Sequence, residues 1–448
     1  MRALSPGTRR AVWALLALAL CVRLGFVAAT PHYTPIHDDH DYDRLACSLI
    51  RGGGYSNTGP PTPPGSCVTP EAVARPTAYR PPAYPMALGA LYATVGPLHV
   101  DRWTAARVAQ ALLGTVVAGL IGLVAGLVWG RRAGLAALAL AAVHLPFAMV
   151  GAALVSETLF LAFELGAVAC VLLAGRGGRR WPWIVAAGLL TGLAWLTRSN
   201  GMLLLLPLAL AAWSALRPRG RRAATLAVVT LLGLAAVTIS PWTVRNERQL
   251  HAFVPVSTEL GPTLAGTYND VSRLDPVSPG AWWLPHQVPA IRAVLRRTRS
   301  EPARDRALTR MAVGYIAEHP FYVVHVLARN TLRMAALTSP SSWREAGAGL
   351  DMAAAAGVLT SVWFLIVLAL AVAGVATGAA RRAPPFLWLT AALMFLSAAL
   401  VISGVRFRMP VEPFVVMLAG AALARLASPA LRAARALRPR APRRPAAH

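Results

Sequence analysis

Four carboxylates fall within six positions, at Asp38, Asp39, Asp41 and Asp43, interleaved with His37, His40 and Tyr42. They stand just past an apolar run of membrane-spanning length. A charge in hydrocarbon costs at least about 2.5 to 3.5 kcal/mol, so the cluster belongs at a water boundary, where proton transfer or cation binding is open to it. The same segment closes on Arg80, Pro81, Pro82, Ala83, Tyr84 and Pro85. Proline fixes backbone angles and removes donors, so this stretch shapes the return of the loop, with Arg80 at its head and Tyr84 lining a groove.

The elements that must position these residues are membrane helices. The chain of 448 residues is 56% hydrophobic and 14% charged, with mean hydropathy +0.53, which excludes a soluble globular protein. Ten stretches near the ~20 residues needed to cross a bilayer are predicted, at about 11–29, 106–129, 134–152, 155–174, 182–197, 201–216, 224–243, 356–379, 385–403 and 411–427. The reading is an all-α polytopic membrane protein. The first stretch reads as a span rather than a cleaved signal peptide, because it exceeds the usual apolar core of ~7–15 residues and Arg23 interrupts it.

The net charge of +26 does not point to nucleic acid. All 44 basic residues are Arg, and they fall in short clusters between spans with no aromatic-rich basic domain to read bases. Arg9–Arg10, Arg131–Arg132, residues 176–180, residues 217–222, Arg381–Arg382 and the tail all fall on one side, which the positive-inside rule makes cytoplasmic. Both termini are then cytoplasmic. Residues 30–105 and 244–355 form two long outer segments, and the loop acids lie in them. Helical stretches at 83–97 and 311–338 are expected in or near the outer interface. Residues 428–448 read as a basic, structureless cytoplasmic tail.

Cys47 and Cys67 share the first outer segment, on the oxidising side, and are either bonded or two unpaired thiols. No metal-ligand Cys/His spacing and no Gly-rich phosphate loop appears. Glu157 stands at the lip of the fourth span and Glu164 deeper within it, where a partner such as Arg23 or Arg107 is expected. Trp282, Trp283 and His286 form either a binding platform or an interfacial aromatic belt.

Taken in order, these residues resemble a family. The acidic motif (Asp38, Tyr42, Leu45, Ala46), the Arg80 to Pro85 run, Ser156-Glu157-Thr158-Leu159, Leu196-Thr197-Arg198, Pro241-Trp242 with Val244-Arg245-Asn246, and Arg406-Phe407-Arg408-Met409-Pro410 are similar to those of the GT-C membrane glycosyltransferases. The likeness is to the branch holding the bacterial dolichyl-phosphate-mannose-type protein mannosyltransferases and the lipid A aminoarabinose transferase. It runs to about residue 427, taken as one transmembrane domain.

The resemblance implies a GT-C-like bundle of about 10 spans in a bacterial plasma membrane. It implies inverting transfer of a sugar from a polyprenyl-phosphate donor to an acceptor hydroxyl on an envelope glycan, lipid or protein at the outer face. Asp38 is the expected general base, a role worth about 10²- to 10⁴-fold, with helix capping as its bland alternative. Asp39 and Glu157 are expected to support acceptor or metal, and a divalent metal is left open, with no cofactor otherwise implied. Arg198, Arg245, Arg406 and Arg408 are expected on the donor phosphate, or else snorkelling to lipid headgroups. Two rivals remain. A polysaccharide polymerase or ligase would use outer arginines and a histidine instead of Asp38, and a lipid-linked sugar flippase would need an internal repeat with broken helices.

Overall fold

The structure is a computed structural model that describes residues 5–57, 67, 75–176, 178–348, 350, 352–404 and 406–436. Most of the Pro-rich middle of the first outer segment and the end of the basic tail, residues 437–448, lie outside the described residues.

All ten apolar stretches coincide with helices. The first is α1 (Pro6–Ala29), whose first turn is capped by the Ser5 side chain accepting from the Thr8 N–H. α4 (Arg102–Trp129) is capped by Asp101 on the Thr104 N–H at 2.8 Å. It turns at Gly130, whose positive φ of 92° suits glycine, into α5 (Arg131–Ala142). A Cβ on Gly134 would meet the Gly122 carbonyl oxygen at 2.7 Å, so α4 and α5 approach backbone to backbone. The third stretch is broken: α5 and α6 (Leu145–Gly151) meet at 51°. Pro146 in the first turn of α6 has no N–H to continue the preceding helix.

α7 (Glu157–Gly175), α8 (Trp181–Thr197), α9 (Leu205–Leu216, extended by 3-10 turns at both ends) and α10 (Arg221–Leu250) follow. α17 (Ala354–Ala376), α18 (Pro385–Ala399) and α19 (Glu412–Ala436) complete the bundle. Among the described residues six helices are long and apolar enough to cross a membrane, or seven if the bent pair is one span. Trp181–Thr197 and Pro385–Ala399 are apolar but shorter, at 17 and 15 residues.

The outer segments are helical as well. The first holds α2 (Asp38–Ile50) and α3 (Ala83–Val95), with a two-residue antiparallel pairing of Ser56–Asn57 against Arg75–Pro76 between them. Cys47 and Cys67 are joined by a disulfide that ties the loop to α2. The second segment holds α11 (Leu260–Thr267), α12 (Asp270–Arg273), α13 (Pro289–Arg297), α14 (Glu301–Glu318), α15 (Pro320–Met334) and α16 (Pro340–Ala348). The single helix expected over 311–338 is two, because Pro320 ends α14 at His319 and opens α15. Tyr268, Ile291, Leu308, Ala312, Tyr322 and Val326 give this segment a small core of its own. It is pinned to the end of α18 through Tyr268 Oη to the Leu400 carbonyl at 2.7 Å and Asn330 Nδ2 to the Ala399 carbonyl at 3.0 Å.

The expected partner for Glu164 is not there. Arg23 donates to the carbonyls of Ala19, Ala141 and Ala142, and Arg107 to those of Val27, Thr30 and Ala152 and to the Thr30 hydroxyl. Glu164 is fully buried, with neither carboxyl oxygen hydrogen-bonded among the described residues. Irregular backbone at span ends leaves carbonyls that cannot reach water, and satisfying them is what these two arginines do.

The disulfide has a direct check. Alkylating the unreduced, denatured chain should label two thiols, Cys21 and Cys170, and reduction should raise the count by mass spectrometry to four. Four labelled thiols before reduction would contradict the bridge.

Candidate active site

The start of α2 sets the site. Its N-terminus is capped not by Asp38 but by Asp39, whose Oδ1 accepts from the N–H groups of Ile36, His37 and His40 at 3.1, 2.7 and 3.1 Å. The Asp39 Oδ2 accepts from Tyr33 Oη at 2.5 Å, and the residue is 3% exposed. Asp39 is therefore turned into the protein, its carboxylate engaged by backbone N–H groups and the Tyr33 hydroxyl. With the cap supplied by its neighbour, Asp38 is free to face outward, its side chain 26% exposed. Asp43 is likewise structural, accepting from Tyr92 Oη at 2.8 Å, Trp103 Nε1 at 2.9 Å and Arg102 Nη2 at 2.9 Å.

Three guanidiniums converge on Asp38 and its surroundings. Arg80 Nη2 pairs with Asp38 Oδ1 and, at 2.8 Å, with Asp41 Oδ2, while its Nη1 donates to Glu259 Oε1 at 2.7 Å. Its Nε also reaches Asp41, at 3.1 Å, so almost the whole fork is spent on carboxylates. Arg406, in the link between α18 and α19, donates from Nη1 to Asp38 Oδ2 at 2.8 Å and from Nε to Glu157 Oε1 at 2.6 Å. Arg198, immediately after α8, donates from Nη1 to the same Glu157 Oε1 at 2.5 Å and to Ser156 Oγ at 3.3 Å.

Aromatic rings wall the cluster. Tyr42 Oη lies 3.2 Å from Ser156 Oγ, and its ring stands edge-on to Tyr84 with centroids 5.0 Å apart. Burial pushes the Tyr42 phenol up to about 12. Tyr84 is buried, its hydroxyl without a hydrogen-bond partner among the described residues. Arg80 is held at the head of its loop by Tyr55 Oη, which donates to the Arg80 carbonyl at 2.8 Å, and its guanidinium lies 4.8 Å from the Tyr79 ring.

Burial alone would raise the Asp38 carboxyl. Arg80 and Arg406 outweigh it and hold the group well below the usual carboxylate range. Asp38 is therefore ionised at rest, and its two guanidinium partners limit how readily it takes a proton.

Two expected phosphate ligands are elsewhere. Arg245 donates to the carbonyls of Tyr55 at 2.5 Å and Thr77 at 2.7 Å and lies 4.8 Å from the Trp242 ring, so it staples both ends of the first outer loop. Arg408 is 2% exposed, paired with Glu412, donating to the Met334 carbonyl at 3.0 Å and packed 3.6 Å from the Phe364 ring centroid. Glu412 in turn pairs with His144 at 2.7 Å, in the break between α5 and α6. In this structure both arginines tie neighbouring elements together.

Glu259, Asp41 and Ser156 belong to the cluster; Asp41 and Ser156 stand in the sequence motifs without a site role, and Glu259 is given none. The available signal for Glu259 was an acid at the start of the second outer segment, opposite Arg80. Among the described residues no group of three or more His, Cys, Asp or Glu is placed to hold a metal ion. The carboxylates here are matched to guanidiniums instead.

This arrangement sits at one end of the bundle, where α7 begins and α8 ends, and it is similar to known proteins at two levels. Residues 80–244 match the dolichyl-phosphate-mannose-protein mannosyltransferase family. No curated protein matches the sequence. Among solved structures, the chain resembles the oligosaccharyltransferase AglB from Archaeoglobus fulgidus in complex with an inhibitory peptide and a dolichol-phosphate. That match has TM-score 0.56 and 15% identity over 96% of this chain and 52% of that one. The same archaeal enzyme tethered to an acceptor peptide gives TM-score 0.53 at 14% identity, over 95% and 51%. ArnT from Cupriavidus metallidurans bound to undecaprenyl phosphate is also similar, at TM-score 0.41 and 19% identity over 96% and 81%. The chain thus spans about half the length of the archaeal enzyme whose fold it shares. By its fold, the chain shares the architecture of the archaeal oligosaccharyltransferase, and its residues 80–244 match the mannosyltransferase family.

Proposed function

We propose that the chain transfers a sugar from a polyprenyl-phosphate carrier to an acceptor hydroxyl, with inversion at the anomeric carbon. Asp38 is the general base, and Arg198 and Arg406 receive the carrier phosphate. The acceptor is a glycan, lipid or protein of the envelope, and the reaction lies at the outer face of a bacterial plasma membrane, with both chain ends cytoplasmic. The observation that carries this reading is one guanidinium, Arg406, bridging Asp38 and Glu157 beside Arg198. A carboxylate with an open face and a pair of phosphate-competent cations then stand within one side chain of each other.

The outer location is supported by the cluster's position at the ends of α7 and α8 opposite the Arg131–Arg132 and residue 176–180 loops, which the positive-inside rule keeps in the cytoplasm. A polyprenyl chain there stays in lipid while its phosphate meets the arginines.

The chemistry follows from the charges. The acceptor oxygen attacks the anomeric carbon from the face opposite the phosphate. The bond from that carbon to the phosphate oxygen breaks, its electron pair leaves with the phosphate, and the acceptor proton passes to Asp38. A carboxylate held low by two guanidiniums is a weak base. When the donor phosphate takes hydrogen bonds from Arg406, that restraint on Asp38 is relieved, so the base is strongest when the donor is in place. Arg198 has donors to offer, since its Nε is buried with no partner among the described residues. Arg80, committed to three carboxylates, orients Asp38.

Asp38→Asn should lower turnover from a polyprenyl-phosphate sugar by about 10²- to 10⁴-fold with the folded protein retained, because the amide keeps the size but cannot accept the proton. Retention of more than about a tenth of the rate would remove Asp38 as base. In the wild type, the acid limb of kcat/KM attributable to Asp38 should lie below the ordinary carboxylate range, since a lowered group protonates only at lower pH. The limb in kcat should lie higher. Equal limbs would contradict the release of Asp38 by donor.

Arg198 and Arg245 should separate. Arg198→Lys keeps the charge but loses the bidentate fork, and should weaken donor use at nearly unchanged acceptor KM. Arg245→Gln should lower the unfolding temperature, since each hydrogen bond from a charged group to a carbonyl contributes about 1.5 to 3 kcal/mol, and should leave donor KM in place. A donor-specific defect in the Arg245 variant would restore it to the phosphate site.

A further inference from the structure

We infer that Glu157 is a release residue: it competes with the carrier phosphate for Arg198 and Arg406 and so expels the spent polyprenyl phosphate. The inference rests on the function proposed above and assigns Glu157 a task distinct from base, acceptor or metal chemistry.

The geometry is particular. Both arginines are held by one oxygen of Glu157, Oε1, at 2.5 Å from Arg198 Nη1 and 2.6 Å from Arg406 Nε. The other oxygen, Oε2, is buried with no hydrogen-bond partner among the described residues. The carboxylate is 1% exposed and stands at the first turn of α7, with Ser156 Oγ also taking a bond from Arg198. A carboxylate placed only to fix two guanidiniums would engage them with both oxygens in the parallel bidentate manner that suits an arginine fork. Single-oxygen contact leaves their remaining donors free for an anion, and the carboxylate ready to reclaim both.

The charges say why such a competitor is needed. The cluster holds four carboxylates (Asp38, Asp41, Glu157, Glu259) and three guanidiniums (Arg80, Arg198, Arg406). The donor phosphate is a diester carrying one negative charge. Transfer leaves it a monoester with about 1.5 to 2 negative charges at neutral pH, because its second pKa is near 6. The acceptor proton meanwhile neutralises Asp38, which loosens its hold on Arg406. The product thus gains charge at the moment its site gains an unopposed cation, and without another carboxylate on the same two arginines it would leave slowly. Glu157 is the acid in contact with both.

The test is equilibrium binding of polyprenyl phosphate itself, without acceptor or turnover, to the purified full chain in lipid nanodiscs, with the uncharged polyprenol as control. Glu157→Gln should bind polyprenyl phosphate more tightly than wild type, on the order of tenfold or more, and should leave polyprenol binding unchanged. In steady-state assays the same variant should show stronger inhibition by added polyprenyl phosphate. Unchanged or weaker binding by folded Glu157→Gln would overturn the inference and leave Glu157 as a holder of the two arginines. If that variant does not fold, Glu157→Asp is read in its place: the charge is kept but withdrawn by one methylene, so binding should still tighten, and unchanged or weaker binding overturns the inference equally. Failure of the wild type to bind polyprenyl phosphate in preference to polyprenol would instead sink the functional reading, and the release role with it.

Discussion

The rest of the site depends on one constraint: charges at the edge of a membrane must be paired with one another before they can meet a substrate. Removing a carboxylate or a guanidinium from water costs several kcal/mol per ion even after relaxation, and only close, well-oriented partners return it. Arg406 meets this constraint by bridging Asp38 and Glu157, which draws the start of α2, the start of α7 and the link between α18 and α19 to a single point. Arg80 does the same for α2 and the residue before α11, Glu259. The two long segments and the bundle are thereby joined through this one charge cluster.

The same pairing limits and directs reactivity. Asp38 at rest is stabilised as a carboxylate, and under the proposed mechanism an anion that displaces its partners would also activate it. Arginine appears here in three distinct physical roles. Arg23, Arg107 and Arg245 satisfy backbone carbonyls where helices end or loops cross. Arg80 and Arg408 are enclosed by carboxylates, carbonyls and rings. Arg198 alone among the four expected phosphate ligands combines a single ion pair with a buried, unengaged Nε.

Those roles mark the boundary of what the chain could tell as a string of letters. The spans were legible because apolar runs of bilayer length have no other economical structure in a chain this hydrophobic. Asp38, Glu157, Arg198 and Arg406 were legible because each is a charge at a span or loop boundary, where neither lipid nor a soluble core would keep it. Arg245 and Arg408 satisfy the same local criterion, yet their partners, the carbonyls of Tyr55, Thr77 and Met334, lie on elements far away in sequence. Nothing local distinguishes a guanidinium that binds a phosphate from one that binds a carbonyl. Asp39 and Asp38 were similarly exchangeable on paper, since either could cap α2, and only the path of residues 33–37 decides that Asp39 does. The two helix breaks, at His144 to Pro146 and at His319 to Pro320, carry prolines in the sequence, but helical patterning continues on both sides of each.

The central claim is that the Asp38, Arg198 and Arg406 cluster receives a polyprenyl phosphate. A structure of the full chain with polyprenyl phosphate bound tests it most directly. The account predicts phosphate oxygens at charge-assisted hydrogen-bond distance, about 2.7 to 2.9 Å, from the guanidiniums of both Arg198 and Arg406. It also predicts that Asp38 is parted from Arg406 and that the lipid tail runs outward between helices. A phosphate seated against Arg245 or Arg408, or a bound lipid that leaves the Asp38 to Arg406 and Glu157 to Arg198 pairs intact, would contradict it.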